Sequence, residues 1–99
     1  MMWEGQKVCL SRELAVMLGV KKGHLLRNFS RNRVRFEEGI HFYVVTGEAV
    51  KVTAPSLIVC LLWTEQGAYQ LMQTFRAPYV KQHYITNVFP YFQEGEARC

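Results

Sequence analysis

The sequence predicts a small α+β domain. Apolar residues recur at helical spacing near the N-terminus and again in the C-terminal half, and aromatic and β-branched runs of strand length separate the two. With 99 residues, 49% of them apolar, the chain can bury one modest core but not two. We therefore expect a single domain over residues 1–99, which could also stand at the front of a longer protein.

The first third predicts a strand followed by two helices. Lys7 to Leu10 is an apolar-rich run typical of a short strand, and Ser11 is a suitable N-cap for a helix over Arg12 to Leu18. Gly19 favours the left-handed residue that ends such a helix. A second helix is predicted from Lys21 to about Val34, with an apolar stripe formed by Leu25, Leu26 and Phe29. Two short helices around a glycine turn make a helix-turn-helix-like pair.

The remaining residues predict a small β portion and two further helices. The predicted strands are Phe42 to Thr46, Val50 to Thr53 after a Gly47-Glu48 turn, and Leu57 to Trp63. Thr64 suits the N-cap of a third helix that runs to about Phe75. Pro78 suits the first turn of a fourth helix, and Pro90 is expected to end it. The inward side of that last helix is predicted to be Val80, Tyr84, Val88 and Ile85.

Positive charge is concentrated in the predicted second helix. Residues 21–35 hold six of the chain's twelve lysines and arginines and no acidic residue, whereas the other 84 residues hold six basic and eight acidic groups. Because like charges on one helix repel, such a face needs a compensating partner. Local charge, more than the net charge of +4, points to a ligand with phosphates.

A helical projection places His24, Arg27, Asn28, Arg31 and Arg35 opposite the apolar stripe. In helix-turn-helix proteins the second helix enters the major groove, where Arg and Asn contact base edges and other basic groups hold phosphates. We expect a hairpin over Phe42–Thr53 to contact the DNA backbone as a wing. The predicted DNA contacts are Lys21, Lys22, His24, Arg27, Asn28, Arg31, Asn32, Arg33 and Arg35.

Other residue types give no sign of catalysis. The cysteines (Cys9, Cys60, Cys99) and the three histidines are scattered, so neither a zinc site nor a cofactor is expected. Cys9 and Cys60 are predicted to be core residues, His41 to order a turn, and Trp63 to have its N–H satisfied locally. No nucleophile and base, paired carboxylates or phosphate-binding glycine loop has a suitable spacing, so we expect no enzyme. Without a signal peptide or an apolar run of membrane length, a cytoplasmic protein is expected.

Three stretches resemble a phage protein family. They are "SRELAVMLGV" followed by "LLRNFSRNRVRFEEGIHFYVVTGE", then "LWTEQGAYQLM", and a last aromatic helix that ends in Tyr91 and Phe92. Together they resemble N-terminal DNA-binding domains of the KilA-N and Bro-N superfamily, in the branch named for the N-terminus of the sixth phage reading frame. The chain departs from the family pattern between Gly47 and Leu61, and again at Arg76 to Pro78, where an acidic stretch is typical.

The resemblance implies a DNA-binding domain of the kind found in phage antirepressors and other phage or prophage regulators. An alternative from another class is a protein-interaction module whose basic face meets an acidic repressor or host protein. The aromatic last helix also leaves room for an exposed strip that pairs with a second copy, and a homodimer would suit two DNA half-sites.

Overall fold

The computed structural model describes residues 1–46 and 59–96. It confirms the α+β prediction, with helices packed beside small antiparallel sheets. Within these residues no helix is long and apolar enough to cross a membrane. The predicted strand Val50–Thr53, the turn before it, and the outer part of the predicted wing lie outside the described residues.

In the part of the chain that the structure describes, five strands form two small sheets. A ribbon pairs β1 (Met2–Trp3) with β2 (Gln6–Lys7). The second sheet has the order β3-β5-β4 and is antiparallel throughout. Its strands are β3 (Cys9–Leu10), β4 (Phe42–Thr46) and β5 (Val59–Trp63). The predicted 42–46 strand is thus confirmed, and the predicted 57–63 strand is confirmed from Val59 onward. The strand predicted at 7–10 is divided, because Lys7 belongs to β2 in one sheet, Cys9 and Leu10 form β3 in the other, and Val8 lies in neither.

The helix-turn-helix-like pair is confirmed, with shifted boundaries. Helix α1 (Ser11–Leu18) begins one residue earlier than predicted, so the N-cap is Leu10, whose N–H donates to the Glu13 carboxylate at 2.8 Å. Gly19 is left-handed, with φ 73°, as predicted. Helix α2 (Lys22–Arg31) ends short of Val34 because Asn32 leaves the helical conformation. A separate 3-10 turn (Arg33–Arg35) follows.

The C-terminal helices agree with the prediction at their starts. Thr64 caps α3 (Glu65–Met72) by accepting the N–H of Gly67, and Pro78 opens α4 (Pro78–His83). The inward placement of Val80, Tyr84 and Val88 is confirmed, but Ile85 is 53% exposed.

Pro90 does not end the last helix, which corrects the prediction. A π-helical segment (Tyr84–Val88) continues α4 directly into α5 (Phe89–Glu96). Proline has no N–H and its ring crowds the carbonyl four residues earlier, so a regular α-helical turn here would lose a bond. The wider π turn, closed by the N–H of Phe89 on the Tyr84 carbonyl, lets the helix pass this point.

The core lies between the sheet and the helices and is centred on Trp63. Its indole N–H donates to the Ser11 hydroxyl at 2.8 Å, so the group has a hydrogen-bond partner as predicted, but that partner lies 52 residues away in the sequence and is not local. The Phe29 and Phe36 rings pack edge-on against the Trp63 ring, with centroids 5.2 and 5.8 Å away. Cys9 is fully buried, and burial raises the pKa of its thiol to about 12. His41 orders the turn before β4 as predicted, because its Nδ1 accepts the Glu37 N–H at 2.9 Å.

Candidate nucleic-acid interface

Helix α2 is anchored to the core by one apolar flank. Leu25 is completely buried, and the half-buried Phe29 ring touches both Phe42 and Trp63, with centroids 5.1 and 5.2 Å away. The three residues 19–21 connect α1 to α2, and the left-handed Gly19 allows the chain to reverse there. The apolar flank therefore fixes which side of α2 faces outward.

Asn28 is not on the outward face, which corrects the prediction that it contacts DNA. Its side chain is 8% exposed, and its amide Nδ2 donates to the carbonyl and hydroxyl oxygens of Thr74, at 3.3 and 3.2 Å. The Thr74 hydroxyl in turn donates to the Leu71 carbonyl at 2.7 Å. A buried amide must find such partners. Asn28 therefore joins α2 to the chain that follows α3.

Two more predicted contacts have internal partners. Asn32 is half-buried, and its Nδ2 donates to the Asn28 carbonyl at 2.8 Å, which explains why α2 stops there. The Arg33 guanidinium lies over the Phe42 and Phe29 rings, 4.9 and 5.4 Å from their centroids, and donates to the Phe36 carbonyl at 2.9 Å. Both side chains thus hold the 3-10 turn against the core.

The other six predicted contacts are exposed, as Arg33 also is: Lys21, Lys22, His24, Arg27, Arg31 and Arg35. Among the described side chains, those of residues 1–46 and 59–93, no carboxylate lies within 4.0 Å of the five Lys and Arg side chains in this set. Arg27 and Arg31 are one helical turn apart, about 6 Å along the axis. His24 packs edge-on against Phe75, with centroids 4.9 Å apart. The structure thus presents a row of cations with no anionic partner among the described residues.

The start of α2 adds backbone donors to this row. Lys21 is the N-cap and is extended, and no side chain caps the helix. The first helical bond runs from the Leu25 N–H to the Lys21 carbonyl at 3.0 Å, so the amides of residues 22–24 precede it. The first turn holds no acidic residue, and nothing lies within 4 Å of the position a Gly23 Cβ would take. Anions bind well at such a helix end.

Sequence reasoning missed three exposed residues on this surface. Gly23 and Ser30 lie on the outward side of α2, and Val34 in the 3-10 turn is 98% exposed. A helical projection centred on Leu25, Leu26 and Phe29 alone leaves Asn28 on the outward side. Including Asn28 in the buried flank turns the outward face toward Arg27, Ser30 and Arg31.

Comparison with known proteins identifies a family for the part of the chain that forms this surface. The model of the ORF6N domain family matches residues 1–74, which include α1, α2, the 3-10 turn and the sheet. No curated protein and no solved structure matches the chain. Because the matched residues make up most of the 99-residue chain, this protein belongs to the ORF6N domain family, a phage N-terminal domain family related to KilA-N and Bro-N.

Proposed function

We propose that this domain binds duplex DNA as part of a phage or prophage regulator of the antirepressor type, with α2 in the major groove. The observation that carries the proposal is the row of exposed Lys and Arg side chains on and beside α2, with no carboxylate within 4.0 Å in the described part of the chain. A polyanion supplies the charge that this surface lacks.

The outward face of α2 combines side chains suited to base edges. Arg27 and Arg31 can each donate two hydrogen bonds to guanine, and Ser30 lies between them with a hydroxyl that both donates and accepts. A helix fits the major groove of B-DNA, so one face can meet several successive bases.

The ends of α2 are suited to the phosphate backbone. Lys21 and Lys22 stand at its first turn, beside backbone N–H groups that Gly23 leaves accessible. Arg35 is exposed beyond the last turn. Phosphates held at both ends would orient the helix in the groove.

The first test measures binding of the purified chain to a fluorescent random duplex over a range of salt concentrations. If Lys21, Lys22 and Arg35 contact phosphates, log affinity falls with log salt at a slope of about −3, and the slope approaches about −4 to −5 if Arg27 and Arg31 also neutralise phosphates. No binding at low salt would overturn the proposal. Binding to an acidic polypeptide as tight as to duplex, with the same salt slope, would instead favour a protein partner.

A further inference from the structure

A second segment of the chain runs along the flank of α2. Starting after α3, Thr74 accepts hydrogen bonds from Asn28 in the C-terminal half of α2, and the next residue, Phe75, packs against His24 one turn nearer its start. The segment ends at α4, where the His83 ring lies 3.1 Å from the position a Gly19 Cβ would take. Residues 74–83 therefore follow α2 in the opposite direction, from its C-terminal half to the turn before it.

This segment is basic, polar and free of acid. No Asp or Glu occurs between Glu65 and Glu94. Arg76 directly follows Phe75 and is exposed, and no carboxylate lies within 4.0 Å of it among the described residues. Tyr79 is 51% exposed, and its ring packs edge-on against His83 at 5.9 Å. Arg76 thus follows the residue that packs on His24, and Tyr79 packs on the ring that approaches Gly19, so their nearest anchors flank Lys21 and Lys22 in the sequence.

We propose that Arg76, assisted by the Tyr79 hydroxyl, contacts DNA phosphates beside the start of α2 and so extends the interface onto residues 75–83. The inference rests on the proposed DNA binding. Arg76 and Tyr79 lie beyond residues 1–74, which the family model matches. Their contacts with DNA would therefore be additional to those made by the matched domain. Arg76 adds a positive charge to a surface whose exposed Lys and Arg side chains already lack carboxylate partners. A negatively charged phosphate is therefore a suitable partner for it.

Helix α4 supplies a matched control. Val80 is buried, so Tyr79 and His83 lie on one flank of α4 and Lys81 on the other. Lys81 is exposed and also carries one positive charge, but it faces away from the side of α4 that touches Gly19. Replacing Lys81 with alanine removes the same net charge as replacing Arg76 with alanine. Salt screens the effect of a charge that lies far from the DNA, so the Lys81 change should not alter binding.

The test compares Arg76→Ala, Arg76→Lys, Tyr79→Phe and Lys81→Ala with the unchanged chain, using a fluorescent duplex over a salt series. Arg76→Ala should weaken binding roughly three- to tenfold and make the salt slope shallower by about 1. Arg76→Lys should restore most of that slope. Tyr79→Phe should weaken binding by a smaller factor without changing the slope, because the hydroxyl is uncharged. Lys81→Ala should leave both values unchanged.

The outcomes separate this inference from the proposed function. If Arg76→Ala behaves like Lys81→Ala while a double change of Arg27 and Arg31 to Ala still weakens binding, the extended interface is wrong and the proposed function stands. If the unchanged chain does not bind duplex at low salt, both fall. Melting temperatures of all the variants should match that of the unchanged chain, because Arg76, Tyr79 and Lys81 are exposed. A large drop for Arg76→Ala would assign that residue a role in folding and overturn the inference.

Discussion

The side-chain amide of Asn28 donates hydrogen bonds to both oxygens of Thr74, its carbonyl and its hydroxyl, at 3.3 and 3.2 Å. These bonds join α2 to the segment after α3 and leave Arg27 and Arg31 on the free side of the helix. Asn28 therefore adds a polar anchor to the apolar flank that orients α2, while its charged neighbours remain available to a ligand.

Replacing Asn28 with alanine should destabilise the fold. The change removes the two hydrogen bonds of a buried amide and leaves the part-buried Thr74 oxygens without that donor, so the free energy of unfolding should fall by about 1–3 kcal/mol. Urea denaturation at pH 7 measures this. Ser30→Ala is the matched control, since Ser30 is exposed on the same helix and its loss should change stability by less than about 0.5 kcal/mol. Equal midpoints for the two variants would contradict the assignment of Asn28.

Replacing both Arg27 and Arg31 with alanine should weaken binding to every duplex at least tenfold, roughly 1.4 kcal/mol or more, while the melting temperature stays nearly unchanged. The double change to lysine keeps both charges but loses two-pronged donation to guanine. It should therefore retain affinity for random duplex and lose preference for a sequence selected by the unchanged chain. Full DNA affinity in the double alanine variant would contradict the interface, and undiminished preference in the double lysine variant would contradict base contacts by these arginines.

Replacing each of two helical glycines with alanine should change the stability of the domain in opposite directions. A Cβ on Gly67 would overlap the backbone carbonyl oxygen of His41, so Gly67→Ala should cost about 3 kcal/mol or prevent folding. A Cβ on Gly23 would meet nothing within 4 Å, and alanine favours a helix, so Gly23→Ala should stabilise the domain by about 0.5 kcal/mol. Thermal unfolding of the two variants checks both signs. A Gly67→Ala protein as stable as the unchanged chain would mean that α3 does not lie this close to the start of β4.

Stability should fall at alkaline pH. Burial, followed by the nearby Glu13 charge, raises the pKa of the Cys9 thiol from 9.0 to about 12. Because the folded state holds this proton more tightly than the unfolded state, the contribution is complete below pH 9 and is lost as the pH rises toward 12. Burial also raises the pKa of Tyr91 from 10.0 to about 12, so that group acts in the same direction.

Urea midpoints measured from pH 8 to pH 11 should therefore decrease, and the decrease should be shallower in Cys9→Ala and in Tyr91→Phe. Each variant is compared with its own midpoint at pH 8, so a general loss of packing does not affect the comparison. An equally steep decrease in both variants would show that other groups cause the alkaline loss.

The sequence by itself determined the elements and the location of the charge. The helical spacing around Gly19, the N-cap at Thr64, the first-turn proline Pro78 and the acid-free run from Lys21 to Arg35 are local properties, set by backbone conformation and by neighbours within a few residues. They were enough to predict an α+β domain with a basic second helix.

Only the tertiary structure decided which side chains on that helix are free. A helical projection that assigns polar residues to the exposed face places Asn28 there. In the structure Asn28 is buried, and its partner Thr74 lies 46 residues further along the chain. Arg33 stays exposed, but its guanidinium lies over the Phe42 ring of the next strand, a contact that helical spacing does not predict either. A buried polar group needs a hydrogen-bond partner, and helical periodicity carries no information about partners that are distant in sequence.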